Sequence, residues 1–218
     1  MTINTDFIVL HITKFGESSV VVHTLCKEYG RRSFLVQGIG KKKIAMSIFL
    51  PLNIIEADIV ESTKSTLYVA KNLSPKYHLN GIRDNIYKNS ITMFVSEVLY
   101  RTVREGMDEP GLYEWAEKSI LMLNAIEADF SNYHLKFLLE LAGQLGFQPK
   151  GEDLKPFLGE NYQIVMDFMR LSFADFLLMP MNGVLRNNIA EAILHYIEYH
   201  LDYSLNIQSL KVLRELFT

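Results

Sequence analysis

Lys27-Glu28-Tyr29-Gly30-Arg31-Arg32-Ser33-Phe34 and its continuation Gly38-Ile39-Gly40-Lys41-Lys42-Lys43 decide the fold. Val20 and Val22 precede this stretch at alternate positions, and Phe34 and Val36 resume the alternation after the Tyr29-Gly30 break. Successive side chains of a strand point to opposite faces, so apolar, β-branched residues at every second position mark a half-buried strand. Two such runs around a glycine read as a hairpin. Working outward, Ile8, Leu10 and Ile12 repeat the period upstream, and Leu67 and Val69 repeat it downstream. Breakers fall at Phe15-Gly16-Glu17-Ser18, Gly38-Ile39-Gly40 and Ser62-Thr63-Lys64-Ser65. The spacing predicts about five strands joined by short turns, which suits a small closed barrel, OB-like or SH3-like, better than an open sheet with free edges.

After Pro75 the period lengthens to three and four, as in Tyr87, Ile91, Phe94, Val98 and in Leu135, Leu138, Ala142, Leu145. That is the period of helices. The pattern predicts helices over 84–106, 110–128, 132–145, 184–202 and 206–216, with shorter ones around 161–170 and 172–178. Pro110 stands where a first helical turn accepts it, and Leu145-Gly146-Phe147-Gln148-Pro149 reads as a helix stop. Strands first and helices later give an α+β chain of two packed units, residues 1–78 and 79–218, and not a βαβ sheet.

Charge divides the chain in the same way. Residues 1–80 carry ten Lys and Arg against six Asp and Glu, a net of +4, which leaves −7 for the rest of a chain whose total is −3. The basic half holds the candidate site: Lys27, Arg31, Arg32, Lys41, Lys42 and Lys43 beside turn glycines, with Tyr29 and Phe34 interleaved. Basic loops at a barrel rim follow a phosphate backbone, and aromatic faces stack on bases. The bland counterpart is a solvated hairpin with ordinary surface lysines, and Phe34, in phase with Val36, belongs in the core. A protein-interaction adaptor, whose barrel binds a partner protein with DNA incidental, is the competing class.

Enzymatic chemistry finds no support. No G-x-x-x-x-G-K-[ST] run occurs, and the six histidines are scattered, His195 and His200 being five apart and so turned to different sides of a helix. Cys26 is the single cysteine, so neither a disulfide nor a multi-cysteine metal site forms within one chain. In phase with Val22 and Thr24, it is expected to be a buried thiol. No stretch approaches the roughly 18 apolar residues of a membrane helix, and Met1 to Asp6 lack a signal's basic and apolar regions, so a cytoplasmic protein without cofactors is expected. The apolar density of residues 165–181 is chiefly packing, part of it suited to a groove for a partner peptide.

In order along the chain, Ile8-Val9-Leu10-His11, Phe15-Gly16-Glu17-Ser18-Ser19, the Tyr29 to Phe34 run and the Gly38 to Lys43 run resemble the N-terminal OB domain of the bacterial RecO family. Phe94-Val95-Ser96-Glu97-Val98-Leu99-Tyr100-Arg101, Leu145-Gly146-Phe147-Gln148-Pro149 and Ser209-Leu210-Lys211-Val212-Leu213-Arg214 resemble its helical domain. The resemblance implies a recombination mediator, not an enzyme. Such a protein binds single- and double-stranded DNA, anneals complementary strands and associates with RecR and the acidic C-terminal tail of SSB. It also helps RecA to load on SSB-coated strands. It implies DNA contacts at Arg31, Arg32 and Lys41 to Lys43, with tail binding at Lys136 beside Phe137. Many relatives carry a four-cysteine zinc module before the final helices. Residues 150–181 here contain no cysteine, so packing by Phe157, Phe168, Phe173 and Phe176 is expected in its place.

Overall fold

In a computed structural model of the chain, which describes residues 1–40, 44–61, 67–106 and 109–217, the alternating runs form β1 (Thr2–Lys14), β2 (Ser19–Cys26), β3 (Gly30–Gln37), β4 (Ile54–Val60) and β5 (Tyr68–Pro75). They close in the order β1-β2-β3-β5-β4, a barrel of the OB type. Neighbours are antiparallel except β3 and β5, which pair in parallel at Phe34 with Tyr68 and Leu35 with Val69.

The interior is filled from alternate positions, among them Phe7, Val9, Val22, Phe34, Ile55 and Ile59. The expected stripe of Ile8, Leu10 and Ile12 is not one stripe. The register of β1 against β2 shifts between Val9 and His11, and the extra residue of a bulge reverses which face each later side chain meets. Phe7 and Val9 therefore point inward with Ile12 rejoining them beyond the bulge, while Ile8 and Leu10 are buried outside that cluster. The fourth strand lies outside the runs singled out above, although Ile55, Ala57 and Ile59 alternate with Glu56 and Asp58. Cys26 is core, as its phase implies, with its thiol 3.6 Å from Thr5 Oγ1.

The helices are α1 (Asn80–Arg83), α2 (Ile86–Thr102), α3 (Leu112–Ala125), α4 (Tyr133–Gln144), α5 (Lys155–Leu158), α6 (Tyr162–Arg170), α7 (Phe173–Leu178), α8 (Gly183–Leu201) and α9 (Leu210–Leu216). By its contacts the chain divides into one unit of Met1–Asn80 with Ser96–Leu121 and another of Gly81–Val95 with Met122–Thr218. In the first unit, Lys76 Nζ binds Asp6 Oδ2 at 2.6 Å and Glu117 Oε1 at 2.7 Å, joining β5 to β1 and α3. The helix expected to run to residue 106 stops at Thr102, because the next residues serve β3 instead. Glu105 Oε1 accepts from the Ser33 N–H at 3.0 Å, and the Gly106 N–H donates to the Arg31 carbonyl at 2.9 Å. These bonds occupy the part of the β3 edge that β5 does not reach, where free groups would invite another strand.

In the second unit α4 lies against α8. Gly146, at φ +89°, ends α4: its N–H donates to the Gly143 carbonyl at 3.0 Å and that of Phe147 to the Ala142 carbonyl at 3.0 Å. Asn182 caps α8, its Oδ1 accepting from the Leu185 N–H at 2.8 Å. Arg186 is buried, its guanidinium donating to Asn132 Oδ1 (3.0 Å) and to the carbonyls of Met181 (2.7 Å) and Phe217 (3.2 Å). Phe168 and Phe176 meet edge to face at 5.6 Å in the core, while Phe157 and Phe173 are half-buried against Tyr196 and Tyr133. Ring packing thus fills the segment expected to be held by it. The donor set does not fit four-thiolate zinc, since the only thiol is enclosed in the barrel.

Candidate nucleic-acid interface

The hairpin of β2 and β3 decides where each cation goes. Along β3, Arg32 shares a face with Phe34 and Val36, and Arg31 shares the opposite face with Ser33. Arg32 therefore reaches the barrel's mouth, its guanidinium 4.5 Å from the centre of the Tyr68 ring. Tyr29 meets Tyr68 edge to face at 5.9 Å and donates its hydroxyl to Glu61 Oε1 at 3.1 Å. Burial, then the Glu61 carboxylate, push the Tyr29 hydroxyl up to about 12, so it stays a neutral donor. Lys27, in the turn before β3, is exposed. Lys27, Arg32, Tyr29 and Tyr68 thus make one basic and aromatic end.

The other end of β3 leads to the lysine triplet. Lys41, Lys42 and Lys43 lie outside the described residues, but the residues on either side of them are placed. The Gly40 N–H donates to the Ile44 carbonyl at 3.4 Å, Ile39 bridges Ile44, and both isoleucines pack on the barrel core. The Ser18 carbonyl accepts from the N–H groups of Gly38 (2.8 Å) and Ile39 (3.0 Å), tying the β1–β2 turn to the start of this loop. Five residues, Ser33 to Gln37, separate Arg32 from Gly38, a span of about 20 Å at the rise of a β-strand. Lys27 and Arg32 thus stand at the start of β3, and the lysine triplet follows the other end of that strand in the sequence.

Arg31 is placed apart from both. It is 4% exposed, lies 4.8 Å over the Tyr100 ring and donates weakly to the carbonyls of Thr24 and Arg32. A side chain so enclosed has no surface for a phosphate, and the reason is Tyr100, a residue of α2 that nothing in the local sequence of β3 announces. On the same face His11 and His23 stack at 5.7 Å, each also against Tyr100, and His23 Nδ1 is 2.9 Å from Ser33 Oγ. Burial first, then Arg101 for His11 and Arg31 for His23, lower both imidazoles below their ordinary value. They are neutral near pH 7, so they add no charge to the interface.

In the second unit, Phe137 is 3% exposed and belongs to the core. Lys136 Nζ lies 3.7 Å from Glu140 Oε1 one turn along α4 and 5.7 Å from the centre of the Phe176 ring. The residues the sequence reading missed are Tyr68, Tyr100, Glu105 and Lys76. Each acts across a long loop in the chain, where periodicity carries no information.

An OB-type barrel with Lys27 and Arg32 at one end of β3, followed in the chain by helices, defines a class of two-part proteins, and comparison with known sequences specifies which. Residues 1–76 match the family described as Recombination protein O N terminal, and residues 83–153 match Recombination protein O C terminal. The chain is 31% identical to the DNA repair protein RecO of Phocaeicola vulgatus over 97% of both chains. It is 29% identical to that of Bacteroides fragilis over 96% of this chain and 97% of the relative. Against the Flavobacterium johnsoniae protein the identity is 33% over 68% of this chain and 64% of the relative. The chain belongs to the RecO family of DNA repair proteins.

Proposed function

We propose that the chain is a recombination mediator of the RecF pathway. It binds single- and double-stranded DNA, anneals complementary strands and, with RecR, helps to load RecA onto SSB-coated single strands, without bond-breaking chemistry or a cofactor. It does this in the cytoplasm, on the nucleoid. The observation that supports this reading is the basic and aromatic end that Lys27 and Arg32 make with Tyr29 and Tyr68, in a family of DNA repair proteins. Lys and Arg contacts release counterions condensed on DNA, which supplies affinity without sequence preference. Lys27 and Arg32, together with Lys41 to Lys43, hold strands close enough for bases to find partners. Lys136 is the proposed holder of an SSB tail carboxylate, exchanging its Glu140 partner for the tail.

The deciding experiment is annealing of complementary oligonucleotides, bare and coated with SSB, across a salt series. Faster annealing than the spontaneous rate, declining as salt rises, is expected on both substrates. Absence of DNA retention at low salt, together with salt-insensitive binding to a protein partner, overturns the proposal in favour of the adaptor.

A further inference from the structure

Arg32 is a cation that the barrel holds in place and leaves without an acid. Its guanidinium is half-buried, lies 4.5 Å from the centre of the Tyr68 ring, and makes no ion pair and no side-chain hydrogen bond among the described residues. Glu61, the carboxylate bonded into this end, takes the Tyr29 hydroxyl at 3.1 Å instead. A half-buried cation with neither a carboxylate nor a carbonyl gives up hydration that nothing in the fold replaces. Stability therefore does not account for where Arg32 is kept.

The ring beneath it is fixed. Tyr68 pairs directly opposite Phe34 where β5 joins β3, and Arg32 precedes Phe34 by two residues, so its side chain leaves the same face of the strand. Tyr29 meets the Tyr68 ring edge to face at 5.9 Å and the Phe34 ring at 6.1 Å. The Tyr68 hydroxyl makes no hydrogen bond among the described residues, so Tyr68 acts through its ring. Stacking occupies the face of a guanidinium and leaves its five N–H donors in the plane, a fork that meets two oxygens of one phosphate. An unsupported arginine loses rotamer freedom when it takes up that geometry, whereas one already laid on a ring has lost it on folding.

We infer that Tyr68 is a positioning residue, which presents the Arg32 guanidinium to a DNA phosphate. The inference rests on the DNA-binding reading above and names how one of its contacts is built. The test uses the full chain with a duplex oligonucleotide at low salt. Tyr68→Leu is expected to weaken binding about fivefold, the order of one cation–π contact, and to change nothing in a chain that already carries Arg32→Ala. Tyr68→Phe keeps the wild-type affinity. In the wild-type chain the Arg32 Nε–H resonance, identified by its absence from Arg32→Ala, is expected upfield of its ordinary position under shielding by the ring, and it moves when the duplex is added. An equal loss from Tyr68→Leu in both backgrounds, a loss from Tyr68→Phe, or an Arg32 resonance at its ordinary position overturns the positioning role while leaving DNA binding in place. A wild-type chain that retains no duplex at low salt overturns the DNA-binding reading and this inference with it.

Discussion

The Arg31 guanidinium lies 4.8 Å over the Tyr100 ring, sealed to 4% exposure by a helix residue far along the chain. Arg31 therefore belongs to the packing of the barrel's outer face. Arg31→Met is expected to lower stability by about 2 kcal/mol, the order of a desolvated cation–π contact, in urea unfolding. The salt slope of DNA binding is expected to stay as it is.

The other candidate cations are expected to behave in the opposite way. Lys27→Ala, Arg32→Ala and replacement of Lys41 to Lys43 by Ala are expected to leave stability nearly unchanged and to weaken DNA binding. Each lost phosphate contact flattens the salt slope by about 0.9 on duplex and about 0.7 on single strands. Filter binding or fluorescence anisotropy at several salt concentrations reads the slope directly, and a slope that does not change removes those residues from the interface.

Lys76 holds two carboxylates at once. Burial works against its charge, but the hydrogen bonds that it donates to Asp6 and Glu117 outweigh this and raise its pKa. Lys76→Met leaves both acids facing each other without a cation, and a loss of about 2 kcal/mol is expected in urea unfolding. Adding Asp6→Asn and Glu117→Gln to that variant is expected to recover part of the loss, because the stranded charges are then gone.

Acid acts on the second unit through His134, which is 1% exposed among Phe94 and Phe217. Burial first, then the Arg186 charge, lower its pKa from 6.5 to about 3. Its folded pKa is below its unfolded one, so the unfolded chain binds the extra proton between these values. The stabilisation is complete above about pH 6.5 and drains at about 1.4 kcal/mol per pH unit as pH falls toward 3. The difference between wild type and His134→Leu in urea unfolding is expected to follow that slope, and parallel pH profiles would contradict it.

Period two and period 3.6 were legible because they are local: they separate barrel from helices and bring the ends of α4 and α8 to within a residue of where they lie. What local pattern did not carry was parity. One bulged residue at Leu10 turns Ile8 and Ile12 to different faces, and one step along β3 sends Arg31 under Tyr100 and Arg32 to the mouth. Neighbouring arginines look alike in a charge count. Their fates depend on what arrives from α2, and no composition or spacing in residues 27–43 encodes that arrival. Cys26 and Phe34 were legible for the converse reason, since the strand's own alternation placed them inside.

The bonds from Glu105 and Gly106 to β3, and from Lys76 to Glu117, bear on how the protein is made. A ribosome delivers the five strands well before residues 105–117, so for that interval the nascent chain holds an arginine with no ring over it and a strand edge with open groups. The barrel becomes self-contained only when α3 emerges. A gene fragment cut at the visible change from strands to helices, near Asn80, would preserve that unfinished state permanently, and its product is expected to collect into aggregates through the uncovered edge of β3.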